Sequence, residues 1–312
     1  MATPRCGRVP ADRPLHYSPV VEALGGELPV AAARSWRCAN RCNSYVACVE
    51  GRVARISIAP VKALHLVNPD EVELGRSGVT GDRRFWLVDR NRRLVNGKGH
   101  PELMRVRPEW DEASRRLTLT FPDGSVVEGA VEPGEPFEAE LYGTPHPSRL
   151  VPGPWQETLS EYVGEPLTLL WSEGGAQDRG NDRGGWASLI SRGSLERLRA
   201  EAGAEEPVDG RRFRMLFEIE GVEPHEEDGW LGRRVEIGEA VIAPVGDVGR
   251  CVVTTCDPDT AVSDFDTLKL LAGYRPDGVT EPLPFGVYCD VAVPGRVRVG
   301  DAVRPVPLAV HA

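Results

Sequence analysis

Lysine is nearly missing from this chain: of 37 basic residues only Lys62, Lys98 and Lys269 are lysines. A GC-rich coding sequence explains most of that bias, and the planar arginine fork also suits phosphate groups. No apolar run approaches a membrane span. The first residues lack the short apolar core of a secretory signal. A cytoplasmic, reducing location with no membrane partner is therefore expected. Seven cysteines are an odd number in a chain of 312 residues, which argues against a disulfide framework. Cys38, Cys42 and Cys48 are separated by gaps of three and five residues, where a zinc ribbon needs C-x2-C pairs. The net charge of −10 leaves no uniform basic face for nucleic acid, although a local basic pocket is compatible with it.

Several motifs are also missing. "GKG" at Gly97 to Gly99 lacks the third glycine and the strand–helix setting of a dinucleotide fingerprint. No phosphate-binding loop of the G-x-x-x-x-G-K-S/T type occurs. "PHEEDGW" at Pro224 to Trp230 shares only its first letters with H-E-x-x-H, and no G-x-S-x-G elbow is present. The common nucleotide, phosphoryl-transfer, zinc-peptidase and hydrolase readings lose support accordingly.

What is present is a dense series of short strands. Residues 1–52 carry no sustained period and are expected to be a poorly ordered extension or an over-extended start, with the functional chain beginning near Val53. From there "VARISIAPVK" alternates apolar and polar residues and stops at a proline. "RRFWLVDRNRRLVN" reads as strand, turn, strand. In "RRLTLTFPDGSVVEG", Leu117, Leu119 and Phe121 alternate before a Pro-Asp-Gly turn. Strands are also expected in "RRFRMLFEI", "RRVEIGEAVIAPV", "RCVVTTC" and "GRVRVGDAV". Two helices punctuate them. "PWQETLSEYVG" has Trp155, Leu159 and Tyr162 on one face between Pro154 and Gly164, and "SRGSLERLRAEAG" opens at Ser191 and closes at Gly203. A short third helix is expected at "TLKLLAGY". The fold class is mainly β (α+β): an N-terminal β-barrel-like domain over 53–150, a linker with one helix over 151–180, a second β-barrel over 181–305 and a tail over 306–312. The polar, Gly-rich "GGAQDRGNDRGG" reads as a mobile loop.

The segment "GDVGRCVVTTCDP" sets Cys251 behind Arg250 and five residues before Cys256. On its own such a cysteine is most often buried packing. Its neighbours change that reading. "APVKAL" at Ala59 to Leu64, "GVTGDRRFWLVD", "DGRRFRMLFEIEG", "EEDGWLGRRVEIG", "GRCVVTTCDPDTA", "TLKLLAGYR" and "FGVYCDVAVPGRVRVGD" occur in order between residues 53 and 305. Together they resemble the MOSC family, the molybdenum cofactor sulfurase C-terminal type domain, preceded by its N-terminal β-barrel partner. The resemblance implies a molybdenum–molybdopterin cofactor between the two parts, with Cys251 supplying a thiolate to the metal, a soft donor for a soft centre. It assigns cofactor contacts to Lys62, Arg83, Arg84, Ser191, Arg214 and Arg250. Arg250 would hold the negative cofactor and favour the thiolate. Without the family, Arg83 and Arg84 read as a solvated hairpin edge and Ser191 as a helix cap. Thr254 and Asp257 are expected to shape the loop.

The sequence departs from the reductases of this family at Ala63, Leu216 and Gly249, which replace serine, asparagine and serine, and at Ala261, which ends a D-P-x-T-G motif. The resemblance implies an enzyme of the amidoxime-reducing type that removes oxygen from N-oxygenated small molecules. Its electrons would come from an external flavin or iron–sulfur protein. Two alternatives stand beside it: a sulfur carrier using a Cys251 persulfide, and a non-catalytic carrier of the molybdenum cofactor.

Overall fold

Among the described residues the alternation of apolar residues becomes eighteen strands. The computed structural model of the chain describes residues 50–175 and 184–306. Cys38, Cys42 and Cys48, most of the expected extension, the centre of the Gly-rich loop and residues 307–312 lie outside the described residues. In chain order the strands of the first half are β1 Gly51–Ile56, β2 Glu71–Gly75, β3 Gly78–Val79, β4 Phe85–Asp89, β5 Leu94–Val95, β6 Arg107–Asp111, β7 Arg116–Thr120, β8 Val126–Ala130, β9 Pro136–Leu141 and β10 Thr144–Leu150. Helix α1 (Trp155–Val163) and β11 (Leu167–Ser172) follow. The second half runs β12 Ala187–Ser191, α2 Arg192–Ala202, β13 Phe217–Glu220, β14 Val235–Ile237, β15 Ala240–Gly249, α3 Thr267–Tyr274, β16 Pro284–Val293, β17 Gly295–Arg298 and β18 Ala302–Pro305.

Seven of these strands close into a barrel in the order β1-β13-β12-β16-β15-β14-β18. Only β12 and β13 run parallel in it. Its interior is the larger core, built from residues such as Ile56, Phe217, Val235, Ile242 and Val287, all without exposed surface. A second sheet, β5-β4-β11-β10-β9, bends so that Arg93 beside β5 meets Glu140 of β9 in an isolated bridge. Strand β4 is buried on both faces. Phe85 and Leu87 face a core shared with α1 and with the hairpin strand β7, while Trp86 and Val88 face a smaller cluster with Leu141 and Leu170.

The helix ends fall where the punctuation lies. Gly164 and Gly203 both adopt the left-handed conformation that stops α1 and α2. Leu195 and Leu198 are buried, as the stripe on α2 requires. Residues 116–130 form the predicted hairpin, with Leu117 and Leu119 in the core. Among the described residues, no helix is long and apolar enough to cross a membrane.

One predicted strand is not a strand. "RCVVTTC" is β-branched and was expected to extend, yet Val252–Thr255 is a turn of 3₁₀ helix. The hydroxyls of Thr254 and Thr255 donate back to the carbonyls of Cys251 and Val252 at 2.9 and 2.8 Å. Such local bonds let Thr compete with a ladder. The Arg212 guanidinium adds donors to the Thr254 and Cys256 carbonyls. Likewise the first half of "RRFRMLFEI" is a 3₁₀ turn, Gly210–Phe213, capped by the Asp209 side chain.

Candidate functional site

The turn that carries Cys251 forms one wall of a cleft of about 230 Å³. Cys251 stands immediately before the 3₁₀ helix, half-buried and free. Cys256 lies at the other end of the same turn. At roughly 2 Å rise per residue the two α-carbons are on the order of 10 Å apart, beyond the ~7 Å limit for a disulfide. Cys289 is sealed in the barrel core, where burial and then Asp290 push its thiol far up. Cys251 is therefore the one thiol among the described residues that faces a ligand-sized space.

The opposite wall comes from the first half of the chain. Lys62 follows the bridge between Val61 and Phe85, and its N–H donates to the Phe85 carbonyl at 2.8 Å. Its side chain is only 4% exposed and lies against the Tyr142 ring, 5.3 Å from the centroid. Arg83 is buried and pairs with the Asp82 carboxylate beside it. The other Asp82 oxygen accepts the Ala59 N–H at 2.7 Å, so one carboxylate fixes the chain on both sides of Lys62. Arg214 reaches back across the cleft to the Leu64 carbonyl at 2.7 Å, and Arg83 donates to the Arg214 carbonyl at 3.3 Å. Arg250 donates to the carbonyls of Phe285 and Phe213 and stacks on the Phe213 ring. The two walls are thus bolted together by arginine-to-carbonyl bonds.

Charge is the main property of this cleft. Lys62, Arg83, Lys98, Arg212, Arg214 and Arg250 line it, and no carboxylate does among the described residues. Arg83 and Arg212 are paired with Asp82 and Asp264 behind the lining, so the field is partly balanced, but the wall itself stays cationic in a chain whose net charge is −10. A larger hollow of about 920 Å³ runs along β9 and β10. It offers no thiol, its Arg149 is paired with Glu173, and Arg92 lies over Phe137. The smaller cleft, which holds the thiol, is the candidate chemical site.

Five of the seven sequence-predicted site residues meet here: Lys62, Arg83, Arg214, Arg250 and Cys251. Two do not. Arg84 stands immediately before β4, after a turn in which Arg83 has a positive φ of 49°. Its guanidinium lies 4.8 Å over the Trp171 ring and donates to the Ser172 carbonyl. Ser191 caps α2 as expected, accepting the Ser194 N–H at 3.1 Å. Its own N–H and hydroxyl, however, both donate to Glu227, a fully buried carboxyl whose proton affinity is raised by burial. These two donors of Ser191 are thus turned to the chain's own carboxyl.

Other lining residues were not singled out from sequence. Asn96 and Lys98 sit on the "NGKG" loop, considered only as a failed glycine motif. Gly97 packs against Val253 of the cysteine turn, 3.4 Å from where its Cβ would be. Arg212 was visible in "RRFR" beside Arg214. Tyr142 and Tyr288 carry no local signal; only the fold brings them in.

The departures from the family pattern have structural settings. A Cβ on Gly249 would lie 2.6 Å from the Glu281 carboxylate and 3.0 Å from the Pro282 carbonyl, so no serine fits there as the chain stands. Leu216 is buried in the barrel core and does not line the cleft. Ala63 lines it in a left-handed conformation, φ 77°. Ala261 has φ 60°, the region a glycine fits without strain.

Comparison with known proteins agrees with this architecture. Residues 185–304 match the MOSC domain model and residues 50–146 the MOSC N-terminal beta barrel domain model. Human mitochondrial amidoxime reducing component 2 is 36% identical over 306 residues, covering 88% of both chains. Human mitochondrial amidoxime-reducing component 1 is 27% identical over 318 residues, 91% of both chains. The molybdenum cofactor sulfurase of Anopheles gambiae is 29% identical over 274 residues, spanning 77% of this chain and 34% of that protein. A two-part β architecture with one facing thiol, together with these matches over both halves, makes the chain a member of the MOSC-domain family.

Proposed function

We propose that the cleft binds a molybdenum–molybdopterin cofactor and that the protein reduces N-oxygenated small molecules. The observation that carries this reading is the lining itself: six cations, no carboxylate, and one half-exposed thiol. That donor set fits the group. A phosphate-bearing, multiply negative organic ligand needs fixed cationic forks and backbone donors, and a soft metal needs a sulfur donor. When bound, such a cofactor supplies two-electron redox chemistry at its metal.

The chain's own residues provide the rest. Cys251 would be the metal's protein ligand, held by a turn whose geometry Thr254 and Arg212 fix. Lys62, Arg83 and Arg214 would hold the anionic body of the ligand. Arg250 would serve chiefly as an anchor, because its guanidinium ties the approach to Cys251 to the Phe285 and Phe213 carbonyls. Removing oxygen from an N–OH group takes two electrons and two protons and releases water. The electrons are assigned to an external flavin or iron–sulfur protein. The relatives named amidoxime-reducing components favour this reaction.

Elemental and pterin analysis of wild type beside Cys251→Ala tests the reading. The variant is expected to fold with an unchanged circular dichroism spectrum, lose activity toward a benzamidoxime-type compound and retain much less metal. Wild type free of molybdenum and pterin under molybdate-replete expression would overturn it. A Cys251 peptide gaining one sulfur in mass without any pterin would instead support sulfur carriage, the chemistry that the sulfurase relative's name suggests.

A further inference from the structure

Strands β9 and β10 form a hairpin in which Leu141 pairs with Thr144, leaving a two-residue turn of Tyr142 and Gly143. Both residues have positive φ, 53° and 79°, the pattern of a type I′ turn. Asn-Gly, Asp-Gly or Gly-Gly suits that turn best, whereas a bulky side chain at positive φ is strained. An aromatic residue strained at a hairpin tip, where glycine would turn the chain freely, points to a role for its ring.

The tyrosine ring supplies that role. It projects from the hairpin tip into the lining of the cleft, 49% exposed, with the Lys62 ammonium 5.3 Å from its centroid. Lys62 itself is 4% exposed. An aromatic face attracts the ammonium and excludes water from one side of it, which strengthens its pull on any anion on the other side. The same hairpin carries His146, whose proton affinity is lowered by burial and then by Lys62, so the ammonium's field reaches into β10.

We propose that Tyr142 is a positioning residue for the anion site: its ring roofs Lys62, keeping that cation dry and turned into the cleft. This rests on the reading of the cleft as an anion-binding site. It is tested by calorimetric titration of inorganic pyrophosphate into the full chain, purified from cells unable to make the pterin. Wild type is compared with Tyr142→Phe, Tyr142→Asn and Tyr142→Gly, and each is also melted thermally. Tyr142→Phe keeps the ring and is expected to bind as wild type. The Asn and Gly variants are expected to bind about two- to fivefold more weakly, the scale of one cation–π contact at a partly exposed site. Their melting temperatures should be equal or higher, because the turn is relaxed. Unchanged pyrophosphate affinity in Tyr142→Asn overturns the proposal. So does a lowered melting temperature, which would make the tyrosine a folding residue. A wild type that ignores pyrophosphate overturns the anion-site reading beneath it.

Discussion

Replacing Asp82 by alanine should be the most damaging single change near the cleft that touches no ligand. The Asp82 carboxylate is 4% exposed and has two tasks. One oxygen accepts the Ala59 N–H at 2.7 Å; the other pairs with the buried Arg83 guanidinium. Alanine leaves that guanidinium without its carboxylate, and breaking a buried pair from one side costs about 3–5 kcal/mol. Arg83 keeps its bond to the Arg214 carbonyl, which argues for the lower end. The orphaned Ala59 N–H adds about 1 kcal/mol. A total near 4 kcal/mol should lower the urea midpoint by somewhat more than about 1 M at an m-value of roughly 3 kcal/mol/M. Seven tryptophans make fluorescence the natural readout. Asp82→Asn keeps an acceptor for Ala59 and should lose less. Asp82→Ala combined with Arg83→Met should recover much of the loss, because no charge is then stranded. A loss below about 1 kcal/mol for Asp82→Ala, or simple additivity in the double variant, would refute the reasoning.

Asp259 is gripped by Arg211 at 2.6 Å and by His65 at 3.0 Å, and these partners, Arg211 foremost, lower its carboxyl to about 2. Its stabilisation is present above the ordinary carboxylate range near 3.8 and is lost as pH falls through about 2. Because the side chain is 42% exposed, we expect only about 1 kcal/mol from it, so Asp259→Asn should destabilise by that amount at pH 7 and flatten the acid limb between pH 4 and 2 in a denaturation series. Ala261→Gly should raise stability by about 0.5–1 kcal/mol in urea melts, because φ 60° is strained for alanine. Gly286→Ala should cost about 2 kcal/mol or more and reduce pterin retention. Its Cβ would lie 2.7 Å from the Leu189 carbonyl at φ 83° and 3.4 Å from the Arg250 guanidinium.

Much of the fold was legible where a local device decides the outcome. Pro154 and Gly164, Ser191 and Gly203 fix helix ends by their own chemistry. The Pro-Asp-Gly turn fixes the β7–β8 hairpin in the same way. Reading failed where a partner far along the chain decides. Val252 to Thr255 look like a strand by composition, yet threonine back-bonding and Arg212, some forty residues upstream, hold them in a 3₁₀ turn. Ser191 reads as a cap and is one, but its bonds to Glu227, thirty-six residues on, have no local signal. Arg83 and Arg84 look equivalent in sequence; a turn with Arg83 at φ 49° separates them, and Arg83 pairs with Asp82 while Arg84 lies over Trp171. Lys98 and Tyr142 were invisible because nothing near either residue says what it faces.

The strand β1 belongs by sequence match to the N-terminal half, yet it completes the second half's barrel, pairing with β13 on one side and β18 on the other. Strand β2 likewise pairs with β17 of the second half, in a separate three-stranded sheet. A scissor cut between the halves would therefore leave two exposed seams of unpaired amides, a recipe for aggregation rather than for two smaller proteins. For the same reason, hybrids made by exchanging halves between relatives must match seam to seam before any cleft can form.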